Sequence, residues 1–259
     1  MIRWNYSIRN KEMKTIKRII AASLTALVAM STTSCYIRIS KNAKEELKDR
    51  LRLEEEMGKV VYDESDSLVI NPGSFNSLFN RSGLDITYIL SDCEPKVVIT
   101  GKYKSRDQIL VENKYGDLEI SYKSDLGIVI TRDEKVTVYA PCIEKLDNSG
   151  SGDIFVKGSF EANTLEILNR GSGDIDFEKV LLSGPLSITN QGSGDINLER
   201  CQIDSSVNVS NKGSGDITIN GNARETTILN SGSGDIDISR LETTSINVTS
   251  KGSGDVKQR

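Results

Sequence analysis

The sequence predicts an all-β protein, a single-stranded right-handed β-helix or β-solenoid with rungs of about 20 residues. Three observations predict it. Gly-Ser-Gly-Asp occurs six times, starting at Gly150, Gly171, Gly192, Gly213, Gly232 and Gly252, at steps of 21, 21, 21, 19 and 20 residues. Apolar residues alternate with polar ones on both sides of every copy. None of these alternating segments has apolar residues three and four apart, as a helix facing a core requires.

Each rung follows from this alternation. Four residues after the first Gly stand Ile154, Ile175, Ile196, Ile217, Ile236 and Val256, and two further on stand Val156, Phe177, Leu198, Ile219 and Ile238. Ahead of the Gly come the pairs Leu165 and Ile167, Leu186 and Ile188, Val207 and Val209, Thr226 and Ile228, Ile246 and Val248. A period of two places each pair on one face of a strand. Two short strands therefore flank a Gly-Ser-Gly corner, and a looser apolar corner follows at Phe160, Val180, Cys201, Ala223 and Leu241. A unit this short cannot bury its apolar face alone, whereas stacked units share one core.

The polar residues of the repeat fit the same geometry. Asn148, Asn169, Asn190, Asn211 and Asn230 precede the Gly by two residues and share the inward parity of the apolar pair. A buried amide must find partners, so these residues are expected to form an internal ladder, amide stacked on amide. The glycines suit a corner whose backbone angles leave the usual regions. Asp153, Asp174, Asp195, Asp216, Asp235 and Asp255 have outward parity. They read as turn residues whose carboxylates accept nearby amides. Asp176 and Asp237 add to the same face, which leaves weak calcium binding open, although the calcium-binding nonapeptide solenoid has a different period. No cofactor or resident metal is expected.

Along the chain, residues 1–34 read as a signal peptide, with Met13 an alternative start. Lys14, Lys17 and Arg18 give a basic beginning, and Ile19–Met30 forms an apolar stretch too short to span a bilayer. Small residues then lead to Cys35. This resembles the lipobox of bacterial lipoproteins and implies cleavage before Cys35 and acylation there, although Thr32 stands where Leu is usual. Residues 35–62 read as a lipid-anchored, charged tether. Residues 63–259 are expected to form the solenoid, with irregular rungs over 63–141 and regular repeats over 142–259. In the irregular part, strands are expected at Leu84–Leu90, Lys96–Gly101, Gln108–Glu112, Leu118–Tyr122, Gly127–Thr131 and Lys135–Ala140. Tyr115-Gly-Asp-Leu-Glu-Ile reads as a degenerate copy of the repeat.

Composition excludes several function classes. There is no histidine, which removes Ser-His-Asp and Cys-His catalysis and any imidazole base or ligand. A formal charge of −4 with five Phe and one Trp argues against nucleic acid. Beyond Cys35, the odd set of Cys93, Cys142 and Cys201 makes no complete disulfide framework. Cys201 reads as a core filler, and a Cys93–Cys142 bridge stays open.

The strand Val136-Thr-Val-Tyr-Ala-Pro, then Ile143-Glu-Lys-Leu-Asp-Asn-Ser-Gly-Ser-Gly-Asp-Ile, then serial Gly-Ser-Gly-Asp rungs, resemble the putative auto-transporter adhesin, head GIN domain family of exported bacterial proteins. The resemblance spans roughly residues 70 to 256 and implies a β-helix-like fold on secreted or lipid-anchored proteins. It supplies no catalytic or ligand residues. The expected function is that of a non-enzymatic cell-envelope lipoprotein, an adhesin or scaffold presenting a repetitive surface. The expected place is the outer membrane, on its periplasmic or surface face. Its partners would be the membrane, through the lipid, and an envelope protein or glycan; a homo-oligomer stays open. The alternative is a polysaccharide lyase or hydrolase, since β-helices host such enzymes, but no insertion interrupts the six rungs to build a site.

Overall fold

In the computed structural model the described residues are 67–101, 106, 108–123 and 134–259. Cys35, the signal and tether segments and the strand expected at Gly127–Thr131 lie outside them. The chain forms β1 Leu68–Ile70, β2 Ser77–Asn80, β3 Ile86–Leu90, β4 Lys96–Thr100, β5 Ile109–Lys114, β6 Asp117–Tyr122, β7 Lys135–Ala140 and β8 Lys145–Asn148. The regular repeats then give β9 Ile154–Ala162, β10 Leu165–Asn169, β11 Ile175–Leu182, β12 Leu186–Asn190, β13 Ile196–Asn211, β14 Ile217–Asn230, β15 Ile236–Asp237, β16 Leu241–Ser250 and β17 Val256–Lys257.

Parallel pairing one repeat apart makes this a β-solenoid. Before the Gly-Ser-Gly corner, β6, β2, β8, β10, β12, β13, β14 and β16 stack in that order. After it, β7, β3, β9, β11, β13, β14, β15 and β17 do the same. Register carries each inward position up the stack. Val136, Ile86, Ile154, Ile175, Ile196, Ile217, Ile236 and Val256 form one ladder, as the alternation predicts for its regular part. Leu118, Leu78, Leu146, Ile167, Ile188, Val209, Ile228 and Val248 form another. Most of these side chains are wholly buried. Each contributes on the order of 1.5–3 kcal/mol of apolar transfer. Aromatic rings pack against one another in the core, with Phe160 edge-on to Phe177 at 5.6 Å between centroids.

The irregular region has an order of its own, and one sequence expectation is corrected there. The rungs do not stack in chain order: β2 and β3 lie inside β6 and β7, which come later in the chain but sit further from the regular repeats. Antiparallel strands finish that end, β5 against β6, and β4 between β7 and β1. Tyr115-Gly116 is not a repeat corner but the two-residue turn of the β5–β6 hairpin, with φ of 59° and 93°. Local sequence cannot separate the two, because Gly-Asp ahead of an alternating strand suits either.

A second correction concerns the looser corner. Phe160, Val180 and Cys201 are followed in register by Gly221 and Leu241, whereas Ala223 continues the row Ala162, Leu182, Ile203. The shift falls in the shortest repeat. Gly221 fits there because a Cβ would lie 2.0 Å from the Cys201 carbonyl oxygen, and its φ is +132°.

Candidate functional site: the stacked Gly-Ser-Gly-Asp corner

The most regular feature of the molecule is this corner, held by bonds within each rung and by bonds from rung to rung. The Asn side chains lie inside it, each wholly buried. Their registers pair Asn148 with Asn169, Asn169 with Asn190, Asn190 with Asn211 and Asn211 with Asn230. The amides do not bond to one another, as amide-on-amide stacking would have them do. Asn190 Nδ2 donates to the carbonyl of Gly194 in its own rung at 3.2 Å and of Gly215 in the next at 3.1 Å. Its Oδ1 accepts the Gly192 N–H at 3.2 Å. Asn148, Asn169, Asn211 and Asn230 repeat this pattern. Each amide thus satisfies corner groups that the strand ladders leave over.

The glycines answer to space. None of those in the six corners has a φ in the left-handed region. Instead a Cβ on Gly171 would lie 1.7 Å from the Gly150 carbonyl oxygen, and one on Gly192 would lie 1.9 Å from that of Gly171. The same holds at Gly150, Gly213, Gly232 and Gly252, where the nearest carbonyl oxygen lies at 1.8 to 2.1 Å. Backbone passes over backbone too closely for any side chain.

Outside the corner runs an aspartate row with its own order. The Asp174 N–H donates to Asp153 Oδ1 at 2.9 Å, Asp195 to Asp174 at 2.7 Å, and Asp216 to Asp195 at 2.7 Å. Asp235 and Asp255 continue the series. These bonds let like charges stack at strand spacing. Burial pushes the Asp153 carboxyl above the usual carboxylate range. The Asp174 amide pulls it back, and the carboxylates of Asp174, Asp85 and Asp176 push it further up. Asp235 is held low, first by the Asp255 amide and then by Lys257 Nζ at 3.0 Å. Asp176 accepts from Asn197 Nδ2 at 3.0 Å, and Asp237 accepts from Ser239. Among the described residues, no group of three or more acidic or Cys side chains is arranged to hold a metal ion.

One more rung belongs to the ladders than the repeats advertise. Asn80 Nδ2 donates to the carbonyls of Leu84 and Gly152, and Asp85 accepts the Asp153 N–H at 3.1 Å. The signal was present as Asn80-Arg-Ser-Gly-Leu-Asp-Ile, a corner with Ser82 and Leu84 in the two glycine places and a single Gly83 between them. Cys201 is buried and its thiol is pushed up to about 12 by burial, while Cys93 and Cys142 are exposed free thiols.

Stacked parallel rungs joined by an asparagine and an aspartate ladder define a repeat-built β-solenoid. Residues 74–199 and 167–259 match the family described as putative auto-transporter adhesin, head GIN domain, and the chain belongs to that family. It is similar in structure to a putative adhesin from Bacteroides fragilis NCTC 9343, with 22% identity and a TM-score of 0.63 over 75% of this chain and 96% of that one. It is also similar to a putative lipid binding protein from Parabacteroides distasonis ATCC 8503, with 20% identity and a TM-score of 0.56 over 75% of this chain and 96% of the other. At these identities the likeness shows the fold. Comparison with curated proteins found no match.

Proposed function

We propose that this protein is a non-enzymatic, lipid-anchored component of the bacterial cell envelope whose solenoid binds an envelope partner through its outer surface. One observation carries the reading. The groups that recur from rung to rung, the Asn amides and one oxygen of each Asp from Asp153 to Asp235, are spent on bonds within the corners and between rungs. What differs from rung to rung is the outward row Phe155, Asp176, Asn197, Thr218 and Asp237. A surface whose constant residues build the scaffold and whose variable residues face solvent suits contact with a partner. The family description points the same way, towards an adhesin on an exported protein.

The test has two arms. Fatty-acid labelling in a bacterial host should tag the wild type, and Cys35→Ser should abolish the tag and release the protein from membranes. Purified protein should bind envelope preparations without altering them. Membrane retention of Cys35→Ser refutes the anchor. Release of reducing ends or unsaturated sugars, lost on changing one acidic residue, refutes the non-enzymatic reading.

A further inference from the structure

We infer that the edge of the solenoid running from Tyr115 to Pro185 is a groove for a glycan chain, neutral or amino-bearing; this rests on the envelope-binding reading and names its ligand class. The edge is continuous in the backbone. The Gly116 carbonyl accepts the N–H groups of Asn76 and Ser77, the Asn76 carbonyl those of Glu144 and Lys145, and the Glu144 carbonyl that of Glu166. The Leu165 N–H donates in turn to Pro185. Five rungs therefore follow one another along this edge, a span of roughly 19 Å at strand spacing.

Two independent features lie along this edge. The first is an open depression of ≈ 420 Å³ lined by Ser77, Lys145, Glu166 and Ser187 on the strands and by Glu144, Thr164 and Pro185 at the bend. The second is Tyr115, at the head of the same edge. It is fully exposed, at 107%, and its φ of 59° lies in the left-handed region that a bulky side chain rarely adopts. A hairpin turn of this kind favours Asn at that position. The turn is also held rigidly. Asn113 Nδ2 donates to the Pro72 and Ser74 carbonyls, both at 2.9 Å, and its Oδ1 accepts the Gly116 N–H at 3.1 Å. A strained, fixed and solvated aromatic is poorly explained by folding and well explained by a ligand.

The lining selects the ligand. Hydroxyls of Ser77, Thr164 and Ser187, with the exposed Lys145–Glu166 ion pair at 3.0 Å, offer donors and acceptors to sugar hydroxyls. Tyr115 offers a face to the C–H side of a ring. Glu144 and Glu166 outnumber Lys145, which favours neutral or amino sugars over uronic acids. A peptide fits less well. β2, β8 and β10 are each hydrogen-bonded on both sides, so no free strand edge lies along the groove for a peptide to extend.

The experiment is calorimetric titration of the purified protein with maltohexaose, a chitosan hexamer and an alginate hexamer, alongside Tyr115→Ala, Tyr115→Asn and Glu144→Gln. At least one of the first two should bind, and alginate should not. Tyr115→Ala and Tyr115→Asn should each weaken binding about tenfold, the worth of one stacked ring. Tyr115→Asn should at the same time raise the melting temperature, because Asn accepts the turn geometry. Full affinity in Tyr115→Asn, preference for alginate, or no binding by the first two sugars overturns the groove. So does binding of peptides alone. If Tyr115→Asn still binds envelopes like the wild type, the groove falls and the envelope-binding reading stands. If the wild type binds no envelope preparation, both fall.

Discussion

Replacing Gly192 by Ala tests the corner most directly. The new Cβ would lie 1.9 Å from the Gly171 carbonyl oxygen and 2.9 Å from the Arg170 carbonyl carbon, and ordinary contact begins at 3.4 Å. The two rungs would have to part by about 1.5 Å where backbone faces backbone and no flexible side chain can yield. That separation disrupts the Gly192 N–H bond to Asn169 at 3.2 Å and the Ser193 N–H bond to Gly171 at 3.0 Å. It also strains the reach of Asn169 Nδ2 to the Gly194 carbonyl at 3.1 Å. Overpacking and two or three compromised buried bonds together cost about 3–5 kcal/mol. A loss of that size lowers the melting temperature of a domain this long by roughly 10 °C. Gly158→Ala is the control: its φ is +82° and nothing lies within 4 Å of its Cβ. Backbone strain alone should cost that variant about 1–2 kcal/mol. Urea unfolding followed by far-ultraviolet circular dichroism ranks the two. If Gly158→Ala proves the worse, or Gly192→Ala stays within about 1 kcal/mol of wild type, close approach is not why the repeat needs glycine.

Other outcomes follow from the same bonds. Asn190→Ala removes one of the two bonds made by each of the Gly192 N–H and the Gly194 and Gly215 carbonyls, and should cost about 1–3 kcal/mol, whereas Thr218→Ala on the outer face should change stability by less than about 0.5 kcal/mol; equal effects in a urea melt would contradict the ladder. Asp235 is held below its ordinary value of 3.8, so its contribution is present above that value and lost as pH falls below it. Asp235→Asn should therefore lower stability at neutral pH, with the deficit closing in acid. Asp153 is raised above 3.8, so its ionised form costs stability near neutrality, and that cost disappears as pH falls through the raised value. Asp153→Asn keeps an acceptor for Asp174 without the charge. It should match or exceed wild type at neutral pH and lose the advantage in acid; a deficit at neutral pH would show the charge to be favourable. Cys201, with its buried thiol pushed up to about 12, should resist alkylation in the native protein while Cys93 and Cys142 react; mass spectrometry of the labelled chain reads this directly.

The rungs were legible because side-chain direction in a strand has a period of two and the repeat locks that period to a fixed length. Ile175, Ile196, Ile217 and Ile236 could be placed in one interior ladder from spacing alone. The buried Asn positions followed from the same parity, but not their partners. Those partners are carbonyls across a corner, and their position depends on how the chain bends between strands. The glycines were legible as a corner and misread in mechanism, since close approach between rungs is a distance between residues 21 apart. The order of the first rungs was not legible at all. Nothing local to Ser77–Leu90 says that β6 and β7 will lie outside it. The depression on the edge headed by Tyr115 was hidden for the same reason, as its lining comes from four successive rungs.

That inverted order changes how the molecule meets a mechanical load. A solenoid stacked in chain order unravels from its end, one rung peeling from a single neighbour. Here a pull on the chain ahead of Leu68 first reaches β1, which pairs with β4. It then meets β2, clamped between β6 on one side and β8 on the other. β2 cannot be drawn out along the axis without first removing a rung that the pull does not reach. Pulled along its own length, β2 is loaded in shear across two rows of hydrogen bonds that must fail together. A leash tied at the amino-terminal side would thus end in a knot-free lock, set by the order of stacking rather than by any one bond.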